Sequence, residues 1–153
     1  MATLWAKSVS FESVQVGDDL PILVKHENQA TIDNYAKYAS TAPKAGWSNL
    51  HTDKEYASQG IFGGTVNMGV ATVAYVAELL EKAFSVKDVT AAGSTLKVRA
   101  TEPFRDGDTV TFTGQVTGKQ VVDGKNVVEC EITGVNQRDQ VIARASASVV
   151  LST

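Results

Sequence analysis

Two short stretches hold the groups that could do chemistry. In AGWSNLHTDKEYA, residues 45–57, His51 stands beside Asn49 and Trp47, just ahead of Thr52-x-x-Glu55, the spacing of a capped helix start. In FGGTVNMG, residues 62–69, glycines lead into a long apolar segment. If that segment is helical, its first amides have no intrahelical acceptor and sit at the positive end of the helix dipole. An imidazole takes or gives a proton near neutral pH, and unpaired N–H groups polarise a carbonyl oxygen. Folded against one another, the two stretches suit proton transfer beside a polarised carbonyl, and a thioester carbonyl fits that description. Spacing also permits a plainer role for each, a polar loop histidine and glycines that serve turns.

The elements that must position these stretches are legible in the periodicity. After FESVQVGDDLP, the run ILVKH predicts a strand, and NQATIDNYAKYAS predicts a helix capped by Asn28, with Ile32, Tyr35, Ala36 and Ala39 forming one apolar stripe. Pro43 and Gly46 break it into a loop. Thr52 and Glu55 predict a capping box opening a short helix to about Gln59. From Val66 to Phe84 the apolar positions leave almost no polar face before Glu78, Glu81 and Lys82, which predicts a helix mostly surrounded by protein. From Gly93 the period switches to two, giving four long strands, with Asp123 and Gly124 as a hairpin turn. The order predicts an α+β fold in which a curved antiparallel sheet wraps one long apolar helix.

Composition narrows the function classes. The chain has 153 residues, 43% of them apolar, and no compositional break, which predicts one domain over 1–153. Its 14 basic and 17 acidic residues leave no basic footprint for nucleic acid or an anionic membrane surface. No apolar run approaches the roughly 20 residues that span a bilayer, and the N-terminus lacks a signal-peptide pattern. Cys130, the single cysteine, lies in an alternating run and reads as a buried strand residue. These features predict a soluble, cytoplasmic protein. With one cysteine and two histidines, no metal site is expected. His26 is expected at the surface.

Taken together, FESVQVGDDLP, NLHTDKEYA, FGGTVNMG, PFRDGDTVTFTGQV and GVNQRDQVIARASASV resemble the MaoC-like dehydratase family of hot-dog proteins over nearly the whole chain. The resemblance implies a hot-dog fold, a homodimer or a heterodimer with another hot-dog chain, and reversible hydration of trans-2-enoyl thioesters to (R)-3-hydroxyacyl thioesters. No cofactor is implied, coenzyme A or acyl carrier protein being part of the substrate. Carried onto this sequence, the family's catalytic histidine falls on His51, its following acid on Asp53 and the helix-start glycine that holds the thioester oxygen on Gly69. Asn49, Trp47, Phe62, Gly63 and Gly64 become the candidate substrate-binding residues.

The family's loop pattern resembles G-D-x-N-P-x-H-x-D, and this sequence departs from it. Counted back from His51 without a gap, Gly46 stands where the catalytic aspartate belongs, Ser48 where the asparagine belongs and Asn49 where the proline belongs. One deletion aligns Asn49 with the asparagine and removes the aspartate. Either way the carboxylate is missing, the loop is lengthened by TAPKAG, and Met68 replaces the histidine before the helix-start glycine. Asp53 has a sufficient structural task at a helix start. Two further readings follow: a thioester-binding subunit that pairs with an active relative, and a thioesterase using Glu78. Lys97, Arg99 and Arg105 could meet carrier phosphates on charge alone.

Overall fold

Alternation of side chains dictates the sheet. In β4 (Lys125–Asn136), Val128, Cys130, Ile132 and Gly134 point inward at every second position, and in β3 (Thr109–Val122) Val110, Phe112 and Val116 do the same. In this computed structural model, which describes residues 1–39 and 48–152, these strands join β1 (Leu23–His26), β2 (Thr95–Ala100) and β5 (Val141–Leu151) in the order β1-β3-β4-β5-β2. Every pairing is antiparallel. Asp123 and Gly124 both adopt positive φ, 49° and 75°, the turn whose twist matches that of the flanking strands. Cys130 is buried as the alternation predicts, and the apolar surroundings push its thiol up to about 12.

A register shift between Gly134 and Val135 puts two neighbouring residues of β5, Ile142 and Ala143, under cover together. The carbonyl of Ile142 accepts the Thr101 amide at 2.9 Å, which ties the segment leaving β2 to β5.

The helices are α1 (Gln29–Tyr38), α2 (Lys54–Ser58), α3 (Gly69–Ala83) and α4 (Val86–Val89). Asn28 caps α1 as predicted, in a reciprocal box with Thr31. Val76, Leu79, Leu80 and Ala83 recur at helical spacing and bury one face of α3 against the sheet, in one core with Phe84, Phe104, Phe112 and Ile132. Each large side chain removed from water there contributes about 1.5–3 kcal/mol.

Three predictions about the helices need correction. The long helix begins at Gly69, not Val66, because the Val66 backbone pairs with Arg105 and the Asn67 amide donates to the Phe104 carbonyl at 2.8 Å. Those groups are committed to an extended bridge, so the chain turns helical only after it. Nor is α3 covered all round in this chain: Val70 and Val73 are 54% and 41% exposed, leaving an open apolar stripe beside the helix start. Finally, α2 is capped by Asp53, whose Oδ1 accepts the Tyr56 amide at 3.0 Å, rather than by Thr52. The Thr52 hydroxyl is taken by the Asn49 side-chain amide at 2.8 Å.

Between β1 and α1 a buried carboxylate sits against α3. Glu27 is 4% exposed, and its Oε1 accepts the Tyr75 hydroxyl at 2.7 Å and, more weakly, that of Thr31. Burial holds its carboxyl above the ordinary 4.5, against the lowering influence of both hydroxyls and the nearby Lys25 charge. The folded state therefore holds this proton more tightly than the unfolded chain, so Glu27 costs stability progressively as pH rises from about 4.5 through its raised value. Glu27→Gln keeps an acceptor for Tyr75 and removes that cost. Urea midpoints are expected to favour the variant over wild type more at about pH 7 than at about pH 4, and parallel pH profiles would contradict this account.

Candidate active site

Asn49 builds the loop that carries His51. Its Oδ1 accepts the backbone amides of His51 and Thr52, both at 2.9 Å, while its Nδ2 donates to the Thr52 hydroxyl, so the side chain shapes a tight turn. That turn ends in the Asp53 cap of α2, and the His51 ring is left half-buried.

The ring orientation follows from a single hydrogen bond. His51 Nδ1 lies 2.9 Å from the Val66 carbonyl oxygen. A carbonyl only accepts, so Nδ1 carries the proton, and the neutral imidazole presents a lone pair at Nε2. Val66 is itself fixed, donating to the Leu50 carbonyl at 3.2 Å and bridging to Arg105. The histidine thus rests on the extended segment that leads into α3.

His51 and Gly69 line one cavity of about 320 Å³. Leu50, Phe62, Val66, Phe104 and Ile142 supply much of its apolar wall, and Asn67, Thr72 and the 100–103 segment complete it. Asn67 Nδ2 donates to the Thr72 hydroxyl at 3.0 Å in a buried bond that pins the approach to the first turn of α3. Met68, the cap residue, makes no side-chain bond to the helix end. A Cβ placed on Gly69 would meet nothing within 4 Å, so a ligand can approach that backbone closely. A histidine and a helix-start glycine therefore line one largely apolar cavity, residue types suited to moving a proton while holding charge on an oxygen.

Of the sequence-derived candidates, His51, Gly69 and Phe62 meet in this cavity. Asn49 does not line it but shapes the loop that carries His51. Gly63 and Gly64 stand outside the lining, in a turn ahead of the helix rather than at its start, where Gly63 takes φ +64° and donates to the Gly60 carbonyl. Trp47 and the TAPKAG segment fall outside the described residues. Asp53 is spent on its cap. Glu78 pairs with Lys25 at 2.5 Å and is absent from the cavity wall, which removes the group a thioesterase there would use. His26 is exposed, its Nδ1 2.8 Å from the Thr109 hydroxyl. Lys97 and Arg99 project from β2 into solvent, whereas Arg105 donates to the Phe62 carbonyl at 2.6 Å. Among the described residues no three His, Cys, Asp or Glu side chains gather as metal ligands, and no helix is long and apolar enough to cross a membrane.

One supporting residue is invisible to local sequence patterns. Gln29 donates from Nε2 to the His51 carbonyl at 2.9 Å and to Asp33 at 2.8 Å, and its Oε1 accepts the Thr65 hydroxyl at 2.6 Å. It therefore joins α1, the histidine loop and the segment before α3. Gln29→Ala is expected to cost about 1–3 kcal/mol, since it leaves the buried Thr65 hydroxyl unpartnered. An unfolding midpoint unchanged in urea would contradict this role.

A family model described as a MaoC like domain matches residues 37–137. The fold is similar to that of a monoamine oxidase regulatory protein from Archaeoglobus fulgius, at 25% identity and a TM-score of 0.76, covering 97% of this chain and 95% of that one. A MaoC-like dehydratase from Rhodospirillum rubrum is similar at 24% identity and a TM-score of 0.77, with 94% and 97% covered. An (R)-hydratase from A. caviae involved in PHA biosynthesis is similar at 20% identity and a TM-score of 0.70, with 92% and 99% covered. Comparison with curated proteins finds no match. The antiparallel five-stranded sheet packed on α3 is the hot-dog architecture.

Proposed function

Since the chain belongs to the MaoC-like domain family, we propose that it interconverts trans-2-enoyl and (R)-3-hydroxyacyl thioesters of coenzyme A or acyl carrier protein. The observation that carries this reading is that His51, whose Nδ1 is bonded to the Val66 carbonyl, and Gly69 at the start of α3 line one cavity. In the hydration direction Nε2 takes a proton from water, the water oxygen bonds to C3, and the C2=C3 electron pair moves toward the thioester oxygen. Negative charge on that oxygen is held by the Gly69 N–H at the positive end of α3. The imidazolium then returns the proton to C2, so one water is added and the base is regenerated. Hydration needs no further cofactor. The likeness to an (R)-hydratase supports the class of reaction, and the apolar wall suits an acyl chain.

A second reading is motivated by the absent aspartate: Asn49, which one deletion aligns with the family's asparagine, holds the His51 loop and offers no carboxylate. On that reading the chain binds acyl thioesters and completes an active hot-dog partner. Both readings include pairing with a second hot-dog chain, because β2 ends the sheet with one edge unpaired and Val70 and Val73 lie open on α3. The deciding experiment follows the conjugated-thioester absorbance of a short and a medium-chain trans-2-enoyl-coenzyme A with the purified protein. Turnover by the homogeneous chain supports the enzyme; binding without turnover by the folded chain supports the partner subunit.

A further inference from the structure

We propose that Glu102 is a second catalytic group of the His51 cavity, accepting one hydrogen of the reacting water while Nε2 of His51 accepts the other. The proposal rests on the hydratase reading. It arises from the shortage that the loop creates, since no carboxylate stands where the family places its aspartate.

Among the described residues that line the cavity, His51 and Glu102 are the ionisable ones. Neighbouring polar side chains are engaged elsewhere: Asn67 Nδ2 donates to Thr72, and the Thr101 hydroxyl donates to the Val141 carbonyl. Other carboxylates in this part of the fold are committed too. Asp53 caps α2, Asp108 is buried against Arg138 at 2.7 Å, and Glu27 lies beneath Tyr75. Glu102 is an exposed residue of the cavity wall and is open to solvent.

The wall that carries Glu102 is fastened to the residue that fixes His51. Val66, whose carbonyl holds Nδ1, bridges to Arg105, and the next residue, Asn67, donates to the Phe104 carbonyl. At the other end of this wall the Thr101 amide is held by the Ile142 carbonyl. His51 and Glu102 thus belong to segments tied into one hydrogen-bonded frame, which limits how far the two can move relative to one another. In the reaction Glu102 takes up no proton. It orients the water so that a lone pair faces C3, and it offsets the positive charge that His51 gains on taking the proton. The proton then passes from Nε2 to C2, so charge and atoms balance without transfer to Glu102.

Glu102 is exposed, so its substitution is expected to leave folding unchanged. Glu102→Ala is expected to lower kcat for enoyl-coenzyme A hydration on the order of 10²-fold with KM little altered. Glu102→Gln, which keeps an acceptor but loses the charge, is expected to fall between the two. Added formate is expected to restore part of the Glu102→Ala rate, which a packing role would not allow. Glu81→Gln, an exposed residue of α3 away from the cavity, serves as the control with wild-type rate. Histidine-dependent turnover that is undiminished in Glu102→Ala overturns the role of Glu102 and leaves the hydratase reading standing. Absence of turnover in the wild-type protein overturns both.

Discussion

His51→Ala is expected to lower kcat/KM for trans-2-enoyl-coenzyme A hydration by about 10²- to 10⁴-fold, the range that a positioned general base supplies. Truncation removes the Nε2 lone pair while Leu50, Val66 and Gly69 keep their places in the cavity wall. The structural cost is small by comparison. The Val66 carbonyl loses one donor, worth about 1 kcal/mol. Turnover should therefore collapse in a protein whose circular dichroism and urea midpoint stay near wild type. The loss is expected in kcat, because the base acts on water in the transition state and contributes little to holding the thioester. A variant that keeps wild-type kcat and changes only KM would show that His51 contacts substrate without moving a proton.

Phe112→Ala is expected to destabilise the fold by about 3–5 kcal/mol, the usual cost of emptying a buried aromatic site. The ring is fully buried on β3 and faces Gly134 across the pair with β4. A Cβ on Gly134 would come within 2.6 Å of Phe112 Cε1, so the ring occupies the space that a side chain there would take. Phe112 also packs against Tyr75 of α3 with centroids 6.4 Å apart, and Tyr75 in turn meets Phe104 edge-on at 6.1 Å. Removing the ring leaves a void between sheet and helix that rigid β3–β4 pairing cannot close. Urea unfolding with an unchanged m-value measures it directly. A loss below about 1 kcal/mol would mean that α3 settles onto the sheet to fill the gap.

Both expectations depend on α3, and the sequence conveyed that element unevenly. Its existence and its buried stripe of Val76, Leu79, Leu80 and Ala83 follow from apolar spacing, a local property. Its start does not. Gly69 opens the helix because Val66 and Asn67 are drawn into pairing with Phe104 and Arg105, residues far along the chain. Similarly, Thr52 and Asp53 are both chemically able to cap α2, and the choice falls to Asp53 because Asn49 engages the Thr52 hydroxyl. The glycines at 63 and 64 carry a turn signal that local sequence cannot distinguish from a ligand-approach signal.

By itself the sequence determined the strand alternation, the Asp123–Gly124 hairpin, the Asn28 cap and the identity of His51 as a candidate base, because each depends on residues within a few positions of one another. Family resemblance extended this to the fold. Tertiary structure alone decided which nitrogen of His51 bonds to the Val66 carbonyl, that Gln29 clamps its loop, and that Glu102 shares its cavity wall. Those facts depend on hydrogen bonds and a cavity joining α1, the 49–53 loop, the start of α3 and the segment after β2. Their partners lie too far apart in the chain for any periodicity to record them, and only the closing of the sheet around α3 brings them together.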